Sequence, residues 1–350
     1  MYPLAPGCFA PRNAWYVAAW SQEITRTPCE RWILNQPIAF YRRQDGSAVA
    51  LGGRCPHRHF PLGKSRVVGD DLECAYHSIT FAPDGSCVRI PSQTQLPAVC
   101  RVATYPLVER WRWLWIWPGD AASADPALIP DHESLGLTDA RFETVGDIYY
   151  PVPGRYHLMH DNLLDLSHLG YLHQSTIASD GIGAAREERA DGPDWTESVR
   201  SVRAVACPPF FARQLNYDGA VDRRFGLRFH LPCIHAGFDE FHRAARTGTG
   251  DYLGSIRVYH AVTPGRLHDA HYFFAFGRDF AHGDAEFTTN MVAGLRIVLE
   301  EDMTATREIE TMLQNLASAP NELLLRADTH CVLGRRRMEE MIRREQSDAN

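Results

Sequence analysis

The 350-residue chain has no surplus of positive charge: 36 Lys and Arg stand against 43 Asp and Glu, leaving a net −7. Binding nucleic acid without sequence preference needs clustered cations to neutralise phosphates, and an anionic membrane surface needs the same, so neither nucleic acid nor membrane is expected as a partner. No uncharged apolar run approaches the roughly 18–20 residues that span a bilayer. The opening Met1-Tyr2-Pro3-Leu4-Ala5-Pro6 lacks both a basic start and an apolar stretch, so export is not expected. Cysteines number nine, an odd count scattered from Cys8 to Cys331, which suits a reducing cytoplasm better than a disulfide scaffold. Internal repeats and low-complexity tracts are missing, and Gly248-Thr249-Gly250 lacks the rest of a dinucleotide fingerprint. What is left is ordinary globular composition, 45% hydrophobic and 23% charged, at a length that suits two domains.

The first part reads as strands and turns. Apolar runs at Ile38-Ala39-Phe40-Tyr41, Ala48-Val49-Ala50-Leu51 and Cys87-Val88-Arg89-Ile90 are punctuated by Asp45-Gly46 and Asp84-Gly85, which are hairpin signals. Trp111, Trp113, Trp115 and Trp117 recur at period two, which puts all four on one face of a strand, where their area suits a packed core. From Asp120 to Pro130 the composition shifts to Ala, Asp and Pro, a boundary that divides the chain into residues 1–125 and 126–350. Beyond it, Asp161 to His168 looks helical and strand-like runs fill Val199 to Phe280. Leu295, Leu299, Asp302, Thr306, Ile309, Leu313 and Leu316 then form one helical stripe, and a further helix is expected from Asn321.

Two constellations carry chemistry. In the first, Cys55-Pro56-His57 is followed by Cys74-Ala75-Tyr76-His77, with Gly53, Gly63 and Gly69 flanking the loops. Two thiolates and two imidazoles suit either Zn²⁺ or a Rieske [2Fe–2S] cluster, in which Cys holds one iron and His the other. Zinc fingers pair like ligands within each loop, whereas each loop here mixes them, which suits two unlike irons. His59 has no counterpart in the second loop and is read as non-ligating.

In the second, Asn162, Asp165 and His168 lie at i, i+3 and i+6, and His173 follows five residues later. That last step is about 140° round an α-helix, so both histidines face one metal only if the helix loosens near Gly170. A 2-His-1-carboxylate site on Fe(II) needs one more ligand. Asp302 is the charged residue on the stripe; unpaired and buried, its carboxylate would cost several kcal/mol. A metal or a salt bridge would compensate it, and the stripe alone does not choose. Glu300 and Glu301 point off the stripe.

Together these segments resemble the Rieske non-haem iron oxygenases. Cys55-Pro56-His57 with Cys74-Ala75-Tyr76-His77 matches that family's cluster motif, and Asn162-x₂-Asp165-x₂-His168-x₄-His173 with Glu301-Asp302 matches its mononuclear-iron motif. The likeness extends from Asn13-Ala14-Trp15-Tyr16-Val17 through the tryptophan strand to the C-terminal helix, and the wording is most similar to the vanillate and dicamba O-demethylase branch. One departure is visible: relatives commonly have Gly after the second cluster His, where this chain has Ser78, a change that would bear on hydrogen bonding near the cluster.

The resemblance implies an α+β fold. An N-terminal Rieske β-sandwich would precede a catalytic domain with a curved antiparallel sheet wrapped by helices, of the helix-grip, START-like kind. It implies one Rieske [2Fe–2S] cluster on Cys55, His57, Cys74 and His77, and one mononuclear non-haem Fe(II) on His168, His173 and Asp302. Asn162 would sit close to the iron without binding it, and His160 would lie outside the site. It implies a head-to-tail homotrimer in which Asp165 links His77 of the next subunit to His168. Electrons would come from NAD(P)H through a separate ferredoxin-type reductase. O₂ would then oxidise an aromatic substrate such as a methoxybenzoate, by demethylation or hydroxylation, in the cytoplasm. His260, and the aromatics Phe210, Phe211, Tyr272, Phe273 and Phe274, are candidates for the substrate pocket. The alternatives are a Rieske electron-transfer protein without oxygenation chemistry, a ring-dihydroxylating dioxygenase, and a zinc-stabilised binding module.

Overall fold

Strands dominate the computed structural model, which describes residues 9–317 and 321–348; Cys8 and the opening Met1-to-Pro6 segment lie outside these. The N-terminal part builds three small antiparallel sheets. The first is β1 (Tyr16–Trp20), the second β2 (Cys29–Ile33), β3 (Gln36–Arg42) and β4 (Ala48–Gly52), and the third β5 (Arg66–Val68), β6 (Asp71–Glu73), β7 (Thr80–Phe81) and β8 (Cys87–Arg89). β9 (Leu107–Arg110) and β10 (Trp113–Ile116) complete the first sheet, in the order β1-β10-β9. The expected strands at 38–41, 48–51 and 87–90 therefore form. Trp113 and Trp115 are wholly buried on β10, but Trp111 is not on the strand: it sits in the β9–β10 turn with φ +58°.

The second part is organised on one seven-stranded antiparallel sheet. Its strands are β11 (Glu143–Val152), β12 (Glu187–Asp191), β13 (Trp195–Ala206), β14 (Ala220–His230), β15 (Ile234–Arg243), β16 (Tyr252–Pro264) and β17 (Ala270–Arg278). They run in the order β11-β17-β16-β15-β14-β13-β12. Among the described residues four α-helices accompany it: α1 (Tyr156–Leu164), α2 (Pro209–Gln214), α3 (Ala285–Gln314) and α4 (Thr329–Asp348). None of the helices among the described residues is long and apolar enough to cross a membrane.

The two parts share a core. Trp15 to Trp20 and Trp113 to Trp117 belong to the same buried cluster as the large sheet, while a smaller cluster containing Cys55 and Cys74 lies beneath the Cys/His loops. Polar stitches cross the seam: Thr263 Oγ1 donates to Val17 O at 2.7 Å, Trp20 Nε1 to Ile148 O at 3.2 Å and Leu34 N to Pro264 O at 3.0 Å.

Three sequence expectations need correction. The helix read at 161–168 ends at Leu164, because the Asp165 carboxylate accepts the Ser167 N–H at 2.8 Å and so offers the backbone a turn in place of another helical bond. The C-terminal helix begins at Thr329, after a 3₁₀ turn at Arg326–Asp328, and not near Asn321. On α3 the stripe holds through Leu295, Leu299, Asp302 and Thr306, but Ile309, and Leu316 beyond the helix end, are exposed and Glu310 is buried.

Glu310 closes on Arg155, the residue before α1, through Nε at 2.6 Å and Nη2 at 2.9 Å. Burial raises the Glu310 pKa, but the guanidinium and neighbouring donors pull it down to about 2. Glu310→Ala leaves Arg155 without its carboxylate and should cost about 3 kcal/mol, read as a lower melting temperature at pH 7. Since the folded-state pKa lies below the ordinary 4.5, this stabilisation is full above pH 4.5 and fades as pH falls toward 2; the gap between variant and wild type should close over that window.

Candidate active site

The two Cys/His segments form matching turns, one after β4 and the other between β6 and β7. In the first, Cys55 N donates to Phe60 O at 3.0 Å and His59 N to Cys55 O at 2.9 Å; in the second, Cys74 N donates to Ile79 O and Ser78 N to Cys74 O, both at 2.8 Å. Cys55 and Cys74 are buried and unbridged by a disulfide, while His57 and His77 are exposed with ring centroids 4.6 Å apart. Burial, with the Cys74 thiol close by, pushes the Cys55 thiol up to about 11 against the lowering effect of the His57 and Arg58 backbone N–H groups. Two adjacent buried thiols behind two facing imidazoles suit a cluster with one sulfur-held and one nitrogen-held iron.

His59 and Ser78 hold the same place in the two turns, four residues after each Cys, and both are left-handed, with φ +58° and +55°. That conformation favours glycine, which accounts physically for the residue expected at 78. Ser78→Gly should stabilise the loaded protein by about 1 kcal/mol, checked by thermal melting.

The second constellation converges. His168, His173 and Asp302 each offer one ligand atom, and these atoms all lie within 4.8 Å of one another. Asp302 Oδ1 stands 3.4 Å from His168 Nε2 and 3.1 Å from His173 Nε2. The chain reaches this arrangement because α1 stops at Leu164 and a 3₁₀ turn at His168–Gly170 follows, which is the loosening that the five-residue spacing requires. Each imidazole is anchored by its far nitrogen. His168 Nδ1 meets the Asp165 carbonyl, and His173 Nδ1 meets Glu301 Oε2 at 2.6 Å, leaving both Nε2 atoms to face Asp302. His173 Nε2 is buried, and its near polar neighbour, Asp302 Oδ1 at 3.1 Å, is not aligned as a hydrogen-bond partner. Two imidazole nitrogens and a carboxylate oxygen aimed at one point, one of them orphaned, fit the donor set of a mononuclear iron. Burial alone would lower the His173 pKa, yet the Asp302 and Glu301 carboxylates raise it; burial alone would raise Asp302, yet His168 and His173 hold it well below the carboxylate range.

Asn162 Nδ2 donates to Asp302 Oδ1 at 3.0 Å. Asp165 touches His168 through its carbonyl and not its carboxylate, which is turned to the Ser167 N–H. His160 points elsewhere: it is buried, with Nδ1 2.6 Å from His235 Nε2. Glu301, set aside on the stripe, is part of the site. The residue beside Asp302 on a helix points away from the stripe, but here His173 and Thr176 come round to meet it.

Comparisons with known proteins agree with this two-centre layout. Residues 14–106 match the Rieske [2Fe-2S] domain, and residues 152–344 match the vanillate O-demethylase oxygenase C-terminal domain. The chain is a Rieske non-haem iron oxygenase. It is 31% identical over 350 residues to a vanillate O-demethylase oxygenase subunit of a Pseudomonas species, covering 97% of each chain. It is 33% identical over 324 residues to an iron-sulfur subunit of the toluene-4-sulfonate monooxygenase system of Comamonas testosteroni, covering 88% of this chain and 90% of that one. Among solved structures, dicamba monooxygenase bound to 3,6-dichlorosalicylic acid superimposes with a TM-score of 0.84 at 30% identity, covering 96% of this chain and 98% of that one. The oxygenase thus carries a Rieske cluster and a mononuclear iron, and its relatives are named as the oxygenase component or subunit of their O-demethylases.

In the oxygenase a cavity of about 120 Å³ opens directly on His168, His173 and Asp302. His260 lies on its wall with Nδ1 against the Tyr272 hydroxyl. Of the expected aromatics, Phe211 and Phe274 line the cavity, whereas Phe210, Tyr272 and Phe273 are buried in the core behind it. Sequence reasoning missed Phe225, Phe238 and the Arg223–Asp239 pair. The period of two along β14, which sets Arg223, Phe225 and Leu227 on one face, was the available signal.

Proposed function

We propose that Cys55, His57, Cys74 and His77 hold the cluster, that His168, His173 and Asp302 hold the iron, and that the adjoining cavity receives an aromatic substrate for O-demethylation or hydroxylation. The observation that carries this reading is the convergence of the three ligand atoms at the mouth of that cavity. Bound there, iron supplies O₂ activation, with the cluster as its one-electron store. The chain's own residues do the rest. Asn162 fixes Asp302 Oδ1, the Asp165 carbonyl and Glu301 set the two imidazoles, and Leu295, Val298 and Leu299 on α3 exclude water from one side of the cavity. We take the chain as two units dividing at 125/126.

The oligomeric reading is a head-to-tail ring, a homotrimer. In its favour, His57, His77 and half-exposed Tyr76 stand at the tips of the cluster loops. Asp165 lies in a surface cleft beside the exposed Leu323, Leu324 and Leu325. Docking one face on the other would cover apolar surface and bring Asp165 to a second copy's His77.

The reading is tested by supplying NADH, a ferredoxin-type reductase and a panel of methoxyarenes while following O₂ uptake and product. Oxidation of an O-methyl carbon gives a hemiacetal that collapses to a phenol and formaldehyde. Formaldehyde in proportion to O₂ is the expected result; hydroxylated product without formaldehyde would remove demethylation. No O₂ uptake with any substrate would leave the electron-carrier alternative.

A further inference from the structure

The cavity wall carries one guanidinium, and it is already engaged. Arg223 is 1% exposed. Its Nε donates to Asp239 at 2.9 Å (Oδ1) and 3.2 Å (Oδ2), and its Nη2 donates to Asp239 Oδ2 at 2.6 Å. Its Nη1 donates to Ile177 O at 2.7 Å and Ser179 Oγ at 3.0 Å, so each of its three nitrogens has an acceptor. The ring of Phe225 lies 4.8 Å from the guanidinium carbon, with those of Phe211 and Phe241 at 5.4 and 5.5 Å. Among the described residues the wall has no other Lys or Arg.

Apart from the Arg223–Asp239 pair, the iron-site group, His260 and Gly226, the wall is Leu, Ile, Val and Phe. His260 is no free donor on its Nδ1 side, where the Tyr272 hydroxyl engages it. A carboxylate or sulfonate entering this space would lose its water and find, among the described residues, no side-chain cation free of a carboxylate, with Asp239 adding like charge; the iron that His168, His173 and Asp302 would hold is the one other positive group on the wall. A neutral ring gives up less hydration and meets aromatic edges and faces at Phe211, Phe225, Phe238 and Phe274.

We propose that the cavity selects a neutral aromatic substrate over arene carboxylates and sulfonates, and that Asp239 determines this choice by holding Arg223. The inference rests on the reading of this cavity as the substrate site. It makes Asp239 a specificity residue: freed of that carboxylate, Arg223 is the group that would receive an anion in a bidentate grip.

The test measures dissociation constants by calorimetry on the full-length oxygenase for two probes of nearly equal shape, 4-methoxybenzamide and 4-methoxybenzoate. Wild type should bind the amide at least about tenfold tighter, the ratio worth 1.4 kcal/mol. Asp239→Asn should move that ratio toward the acid by about tenfold or more, and Arg223→Met/Asp239→Leu, which removes both charges, should restore the preference for the amide. Circular dichroism checks folding; if the single variant does not fold, the wild-type ratio and the double variant carry the test. Equal or tighter binding of the acid by wild type, or an unchanged ratio in a folded Asp239→Asn, overturns the proposal. Val258→Phe, which narrows the cavity, separates the two levels of failure. It should weaken both probes, and unaffected binding would overturn the cavity as substrate site and the proposal with it.

Discussion

His168→Ala should yield a protein that is still red-brown, with acid-labile sulfide unchanged, but that has lost its mononuclear iron and all product formation. The expectation follows from how the two centres are built. His168 contributes one of three atoms gathered within 4.8 Å, and a carboxylate with one imidazole does not complete a 2-His-1-carboxylate site. The cluster loops stand on a different core, the small cluster around Cys55 and Cys74, with which His168 has no part. Iron and sulfide analysis with the visible spectrum checks this. Loss of sulfide along with the iron would mean that the two centres are not independent, and retention of all the iron would mean that His168 is not a ligand. The same measurement on His160→Ala should show no loss of iron, since that ring faces His235.

Asp165→Asn should keep both metals and slow turnover by about 100-fold, the upper end of the effect of removing a group that orients a ligand. The substitution is more selective than it first looks. The backbone carbonyl that holds His168 Nδ1 stays, and an amide oxygen can still accept the Ser167 N–H, so the iron site keeps its shape. Only the negative charge in the surface cleft is lost. If that charge connects the iron site to a neighbouring copy's cluster, reduced protein loaded with substrate and mixed with O₂ will regain its oxidised-cluster absorption slowly. Recovery within about threefold of wild type would assign Asp165 to the turn alone.

These two variants also mark where the sequence was informative. The proposed cluster ligands are local pairs within short loops, so their spacing is written directly in the chain, and a carboxylate among apolar residues at helical period marked Asp302, which the resemblance and not the stripe read as a ligand. What escaped notice depends on neighbours far away in sequence. The stop at Leu164 is a competition between a helical bond and one side-chain acceptor. Glu301 gains its role from a loop more than 120 residues upstream, and Asp239 from its reach to Arg223 on the adjacent strand. The exposed end of the α3 stripe has a similar cause: α3 packs on α1 and β11, and past that contact Ile309 and Leu316 are exposed.

The seam between the two parts has its own consequence. Hydrogen bonds from Thr263 to Val17, Trp20 to Ile148 and Leu34 to Pro264 rivet the electron-carrying portion to the main sheet. The cluster therefore cannot work as a swinging arm that ferries charge between donor and acceptor. Its reach is that of a fixed terminal: any group that gives it an electron or takes one has to come within range of where the seam holds it.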